Sequence, residues 1–243
     1  MEQQMAQQSA ALAFGIKSPL EQIQADSKVL FSNCLLAFHA FSKLGELSEN
    51  MRILSLNAEL AAGRAGEHGN AVRALTQYTR ELVNRLSSIE KGMQSLKSNT
   101  YNNSASAIRI LLQLKLIDRT ETQMKNVKGE FASGCAGRIS KSRTSILSDL
   151  LDKVRGMTKS VESLSKEANA VSEVMSQAGS IATNIAIEAS SAGAHEAEFD
   201  QVAKTMREFA FELRTMCDTA GSSIRDAGGV SKTLQFRAQE SLG

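Results

Sequence analysis

The chain has few of the residues that break helices or build strands. Its 243 residues include one Pro, no Trp and two Tyr. Ala, Ser, Leu, Glu, Lys and Gln abound instead, so the composition points to a mostly helical protein. Cysteine is scarce too. Cys34, Cys135 and Cys217 are odd in number, widely spaced and without a CxxC pair. That argues against a disulfide framework or a thiolate metal site, and reads as free thiols in a reducing compartment. No sign of charge dominates: 28 Lys and Arg stand against 26 Asp and Glu, a net +2. Neither nucleic acid nor an anionic surface is favoured, and no basic cluster is interleaved with aromatics. No run reaches the roughly 18 apolar residues of a membrane span. The opening residues, MEQQMAQQSAALAFGIK, lack the basic start of a signal peptide. A cytoplasmic chain of one or two domains is expected. Residues 1–18 form a Gln- and Ala-rich segment, read either as a short helix or as a mobile stretch.

What the sequence does have is heptads. Ser18-Pro19-Leu20-Glu21 starts a helix, with Ser at the N-cap, Pro at the first helical position and Glu able to reach back to an orphan amide. From there Ile23, Leu30, Ala37, Leu44, Met51, Ala58 and Ala65 recur every seven residues. Leu20, Ser27, Cys34, Phe41, Ser48, Ser55 and Ala62 form a companion row of small or apolar residues. This spacing predicts one helix running to a turn near 66–69. The row Leu75, Leu82, Ile89, Leu96, Asn103, Ile110, Ile117 and Met124 predicts a second helix, from about 71 to 127. It passes unbroken through the polar patch at 98–106. Gly129, Gly134 and Gly137 mark a Gly-rich connector over 129–137. A third helix carries Leu150, Met157, Leu164, Val171, Ala178, Ile185 and Ala192, with a second row from Leu147 to Ala189. After a turn near 193–196, a fourth carries Phe199, Met206, Leu213, Ala220, Ala227 and Leu234.

The halves superpose with a shift of 127 residues and no gaps. Asn57 falls on Asn184, Ala62 on Ala189, Gly66 on Gly193, His68 on His195 and Arg80-Glu81 on Arg207-Glu208. The core rows fall in phase as well, which identifies an internal duplication of a helical hairpin. The expected fold is all-α: a long antiparallel four-helix coiled-coil bundle made of two tandem hairpins, 19–128 and 138–243. Both turns would lie at one end of a rod, and helices of about 50 residues would be about 75 Å long.

Ile53-Leu54-Ser55-Leu56-Asn57-Ala58, Ala62, Arg64-Ala65-Gly66-Glu67, Gly69, Arg80 and Leu82 together resemble the signalling tip of methyl-accepting chemotaxis receptors. The second copy is similar through Asn184, Ile187-Glu188-Ala189, Ala192-Gly193, Phe199, Val202-Ala203, Arg207 and Ala210. The match covers about 30 residues in each half. In that family two identical hairpins dimerise into a four-helix bundle. Its tip binds a histidine kinase and a coupling adaptor, and bundles join one another through the tip. The resemblance implies that one chain here stands in for a receptor dimer. It implies adaptor or kinase docking at Ile53 and Leu56, with Asn70 and Ala74 on the partner helix, and further tip contacts at Asn57, Arg64, Asn184, Glu188 and Phe199. It departs from the family at Ala61, where the family has Glu, and at Ser191, where it has Arg. Ser180 and Thr183 replace the apolar pair in copy two, so one partner per molecule is expected. The arms carry no paired Glu/Gln site between small residues, so methyl acceptance is not expected. Neither a sensor domain nor a membrane anchor is visible.

Several residues invite sharper readings. His68 and His195 read as polar turn residues rather than a metal or pH pair, because no carboxylate or Cys completes a site. Asn57 and Asn184 are either register-setting polar residues or local hydrogen bonders near the turn. Asn103 reads as a local defect or register device, Cys34 as packing and His39 as helix surface. No phosphate loop, metal spacing or nucleophile–base pair is present, so neither an enzyme nor a cofactor is expected. The alternative to a signalling module is a structural coiled-coil scaffold, or a decoy that no longer controls a kinase.

Overall fold

The computed structural model describes residues 19–124 and 130–240, and among these no residue lies in a strand. Five α-helices account for nearly all of them: α1 (Pro19–Ala40), α2 (Leu44–Arg64), α3 (Asn70–Met124), α4 (Glu130–Ala189) and α5 (Glu196–Glu240). Short 3-10 turns, Gly66–Gly69 and Gly193–His195, join α2 to α3 and α4 to α5. Among the described residues no helix is long and apolar enough to cross a membrane.

The heptad rows are where the helices bury themselves. Both rows of the first helical stretch, from Leu20 to Ala65, are buried along their whole length. Three of the buried positions are serines, and each finds an acceptor. Ser27 Oγ donates to the Ile23 carbonyl (2.7 Å), Ser48 Oγ to the Val83 carbonyl (3.3 Å) and Ser55 Oγ to the Thr76 carbonyl (3.1 Å). A hydroxyl in a core row is tolerable only on those terms. The rows Leu150–Ala192 and Phe199–Leu234 are likewise buried at every step.

Three expectations need correction. The stretch from residue 19 to the first turn is not one helix. It is interrupted at 41–43, where Ser42 and Leu44 N–H donate three residues back to the His39 and Phe41 carbonyls. Phe38, Phe41, Leu44 and Leu47 are all buried at three-residue spacing. A tightened turn keeps residues i and i+3 on one face, where a regular α-helix would rotate them away. The Gly-rich connector is also not a loop over its length. Gly129 lies outside the described residues, but α4 is helical from Glu130 through Gly134 and Gly137. A helical Gly costs only about 1 kcal/mol relative to Ala, and no Pro intervenes. Finally, the central row of α3 is Val72, Thr79, Leu86, Met93, Thr100, Ala107 and Leu114, all buried. The row through Leu75 flanks it, and Leu75, Leu96, Asn103, Ile110, Ile117 and Met124 are only half-buried. The polar patch at 98–106 stays helical within α3.

The chain divides into two compact units. The turn unit comprises Leu35–Lys97 and Glu162–Arg225. In it α2 meets α3 through Ser48 and Ser55, and α3 meets α4 through Arg85, which donates to Glu173 and Gln177 (2.8 and 2.7 Å). Cys217 Sγ on α5 lies 3.7 Å from the Ala168 carbonyl of α4. The terminal unit comprises the described residues of Met1–Cys34, Ser98–Val161 and Asp226–Gly243. There Lys115 donates to Gln24 (2.8 Å), and Phe31 meets Tyr101 edge-on at 5.2 Å. Ser231 donates to Thr158 (2.8 Å), and Arg143 pairs with Asp118 and Glu121 at 2.9 and 2.8 Å. Asp26 and Arg237 form an ion pair. Asn103 rests over Gly156, where an added Cβ would come 2.8 Å from its Nδ2.

Candidate docking surface around the two turns

Each turn pivots on a glycine with positive φ: Gly66 at +60° and Gly193 at +57°. They are equivalent under the shift of 127, and only Gly enters this region without steric cost. The first turn has a second requirement. A Cβ on Gly69 would come 2.0 Å from the Ala62 carbonyl oxygen, so backbone meets backbone there. The second turn ends one residue sooner, and the position equivalent to Gly69 is Glu196, the first residue of α5.

The two turns lie at the same end of the turn unit. Arg64, at the end of α2, pairs with Glu198, in the first turn of α5. His195 Nδ1 lies 3.7 Å from the other Glu198 oxygen, and its ring tilts over Phe199 with centroids 6.4 Å apart. Glu59 and Arg80 close a second ion pair across α2 and α3. These pairs are solvent-exposed, so they fix geometry more than they stabilise.

Beside the turns α2 carries a surface its own core does not need. Ile53, Leu56 and Leu60 are 45%, 41% and 65% exposed, and lie opposite the buried rows. They recur at i, i+3 and i+7, one face of a helix. Arg52 flanks the stripe and donates two hydrogen bonds to Glu49, which hold that carboxyl below the usual carboxylate range. On the second copy the equivalent positions are Ser180, Thr183 and Ile187, all exposed. Ser180 and Thr183 turn their hydroxyls back onto the Ser176 and Gly179 carbonyls.

Of the residues singled out from the sequence, Ile53, Leu56, Asn57, Arg64, Asn70, Ala74 and Asn184 are exposed, and Glu188 is half-buried. Phe199 must be corrected. It is wholly buried as a core residue of α5, so it packs the interior and presents nothing to a partner. Leu60 and Glu198 were not singled out. Leu60 was legible as the residue seven beyond Ile53. Glu198 carried no signal, because its pairing with Arg64 depends on how the two turns meet.

The exposed stripe offers apolar contact. Among the described residues no group of three His, Cys, Asp or Glu could hold a metal. Burial pushes the Cys34 thiol up to about 11; burial, then the Asp218 charge, does the same for Cys217. Neither is a thiolate at neutral pH. No protein-family model, curated protein or solved structure matches the chain.

Proposed function

We propose that the chain is a chemoreceptor-like signalling module that docks a chemotaxis-type histidine kinase, its coupling adaptor, or both at the turn end. One observation carries the reading. The stripe Ile53–Leu56–Leu60 exposes large aliphatics on a helix whose heptads are already satisfied, beside a turn whose residues resemble a receptor tip. Contiguous exposed apolar residues on a folded chain mark contact sites. Asn57, Asn70 and Ala74 are exposed near the same turn, and Asn184 and Glu188 belong to the second copy's equivalent surface. Contact with other receptor-like bundles through this end belongs to the same proposal, as does a cytoplasmic setting, in which the three free Cys would stay reduced.

The proposed architecture is an antiparallel four-helix coiled coil of two tandem hairpins, 19–128 and 138–243. The direction of the contacts supports it. In the turn unit, seven residues forward on α2, from Ser48 to Ser55, correspond to seven back on α3, from Val83 to Thr76. In the terminal unit, fourteen residues back on α3, from Asp118 to Ser104, correspond to fourteen forward on α4, from Arg143 to Met157.

The test is capture of adaptor and kinase by the purified chain. Leu56→Asp removes about 1.5–3 kcal/mol of apolar burial and is expected to weaken capture on the order of tenfold or more. Thr183→Asp on the second copy is expected to leave it unchanged. The opposite pattern rules the reading out. A structural scaffold or decoy is the second reading. Arg64 favours it, because that charge is already engaged by Glu198 within the chain. Binding without a change in kinase autophosphorylation would select it.

A further inference from the structure

The exposed stripe on α2 does not end at Leu60. Arg64 stands four residues further on, so Ile53, Leu60 and Arg64 share one helical face at i, i+7 and i+11. Gly63 stands seven residues beyond Leu56, and the Arg73 guanidinium of α3 lies beside it, 3.9 Å from where a Cβ on Gly63 would stand. The aliphatic stripe therefore runs into two arginines at its turn end, and both are exposed. Such a surface is complementary to an apolar patch bordered by Asp or Glu.

The two arginines differ in what they already hold. Among the described residues Arg73 makes no ion pair. Arg64 is paired with Glu198, a residue of the second copy. The shift of 127 would make the counterpart of this pair Ser191 with Ala71, which cannot form one. The contact therefore occurs once in the chain, on the copy that carries the stripe. Glu198 does not depend on Arg64 for its place. It lies in the first turn of α5, where the amide dipoles of a helix N-terminus favour a carboxylate. The Arg64 side chain remains 65% exposed within the pair. An exposed pair of this kind holds weakly, by a factor of roughly 1.4 to 5. A carboxylate brought in by a partner seated on the stripe would bury the guanidinium as Glu198 does not, and charge-assisted bonds to Arg strengthen as water is excluded.

Resting on the docking reading above, we propose that the partner presents a carboxylate beside its apolar patch, that this carboxylate bonds Arg64 with Arg73 adjoining, and that Glu198 stands in for it while no partner is bound. Binding exchanges one carboxylate for another on Arg64. The second copy thereby restrains the site that the first copy carries.

The probe is whichever of adaptor and kinase the parent chain captures, titrated alone by calorimetry. Glu198→Gln frees Arg64 and is expected to tighten Kd about two- to fivefold. In an Arg64→Gln chain the same substitution is expected to change nothing, because no guanidinium is there to release. Arg73→Gln is expected to weaken binding about two- to fivefold. An unchanged or weaker Kd in Glu198→Gln overturns the proposal. So does a gain that persists without Arg64, which is general charge repulsion rather than exchange at one guanidinium. An Arg73→Gln chain that binds as the parent does overturns it too. Capture of neither protein by the parent or by Glu198→Gln overturns the docking reading and this proposal together, whereas capture that depends on Leu56 but ignores Glu198 overturns this proposal alone.

Discussion

Gly66 and Gly69 stand three residues apart for different reasons, and substitution separates them. Gly66 has open space around it, but its φ of +60° opposes any side chain. Gly66→Ala should cost about 1–2 kcal/mol, the penalty of left-handed backbone. Gly69 has ordinary backbone but no space, with the Ala62 carbonyl 2.0 Å from where its Cβ would stand. Gly69→Ala should cost about 1–3 kcal/mol or more, because backbone must move to relieve it. Urea midpoints check both, and a Gly69→Ala variant as stable as the parent would contradict the close approach. The buried thiols act through pH instead. Cys34 is raised from 9.0 to about 11 in the folded chain. Between those values the unfolded state has lost a proton that the folded state keeps. The thiol therefore leaves stability untouched below pH 9 and lowers it as pH rises toward 11. Cys34→Ala should flatten that decline, measured as the change in urea midpoint between about pH 8 and pH 10. An identical decline in variant and parent would refute the assignment.

At the scale of elements, the start of α4 shows how little sequence punctuation constrains a long helix. Gly134 and Gly137 read as a connector, yet both are helical and a Cβ on either would meet nothing within 4 Å. No close approach requires glycine there, so its conformational entropy is a pure cost. Gly134→Ala and Gly137→Ala should each stabilise by about 0.4–1 kcal/mol. For a chain of this size that raises the melting temperature by roughly 1–4 °C per substitution. A fall in melting temperature would mean that these residues are not helical in solution. Periodicity was the stronger signal. The rows from Ile23 and Leu20 to the first turn are buried throughout because seven-residue spacing reports directly on which face meets a neighbour. It misled in α3, where Thr79 and Thr100 occupy the central row, and in the second row of α4, where Ala168 and Met175 are only half-buried. Thr79 is admissible there because its hydroxyl donates to the Leu75 carbonyl one turn back, a local bond that hydropathy does not register. The break at 41–43 was illegible for a related reason. The seven-residue rows cross it in phase, and only the three-residue spacing of buried Phe38, Phe41 and Leu44 records it.

For the molecule as a whole, the two copies related by the shift of 127 present different surfaces at the turn end. The shift of 127 carries buried positions onto buried positions along the rows Ile23–Ala65 and Val72–Leu86, from Ile23 on Leu150 to Leu86 on Leu213, while in the companion row buried Phe41 and Ser48 fall on half-buried Ala168 and Met175. The two compact units do not coincide with the two copies, because each unit takes segments from both. The buried rows of the two copies therefore largely match while their surfaces differ. Copy one shows Ile53, Leu56 and Leu60; copy two shows Ser180, Thr183 and Ile187 on the equivalent face. If the apolar stripe is what a partner reads, one site per chain follows, and the missing site can be restored. Ser180→Ile with Thr183→Leu recreates the stripe beside Ile187. Both positions are exposed, and each hydroxyl bonds only within its own helix, so the exchange costs the core nothing. A second partner should then bind, doubling the stoichiometry seen by sedimentation or calorimetry. The affinity gained should be about what two exposed aliphatics contribute, roughly 1.5–3 kcal/mol each when fully buried. Adding Leu56→Asp should return the ratio to one, now through copy two. If the stoichiometry stays at one despite the restored stripe, recognition depends on features of copy one beyond its aliphatics, and the exposed neighbours Asn57, Asn70 and Ala74 become the residues to exchange next.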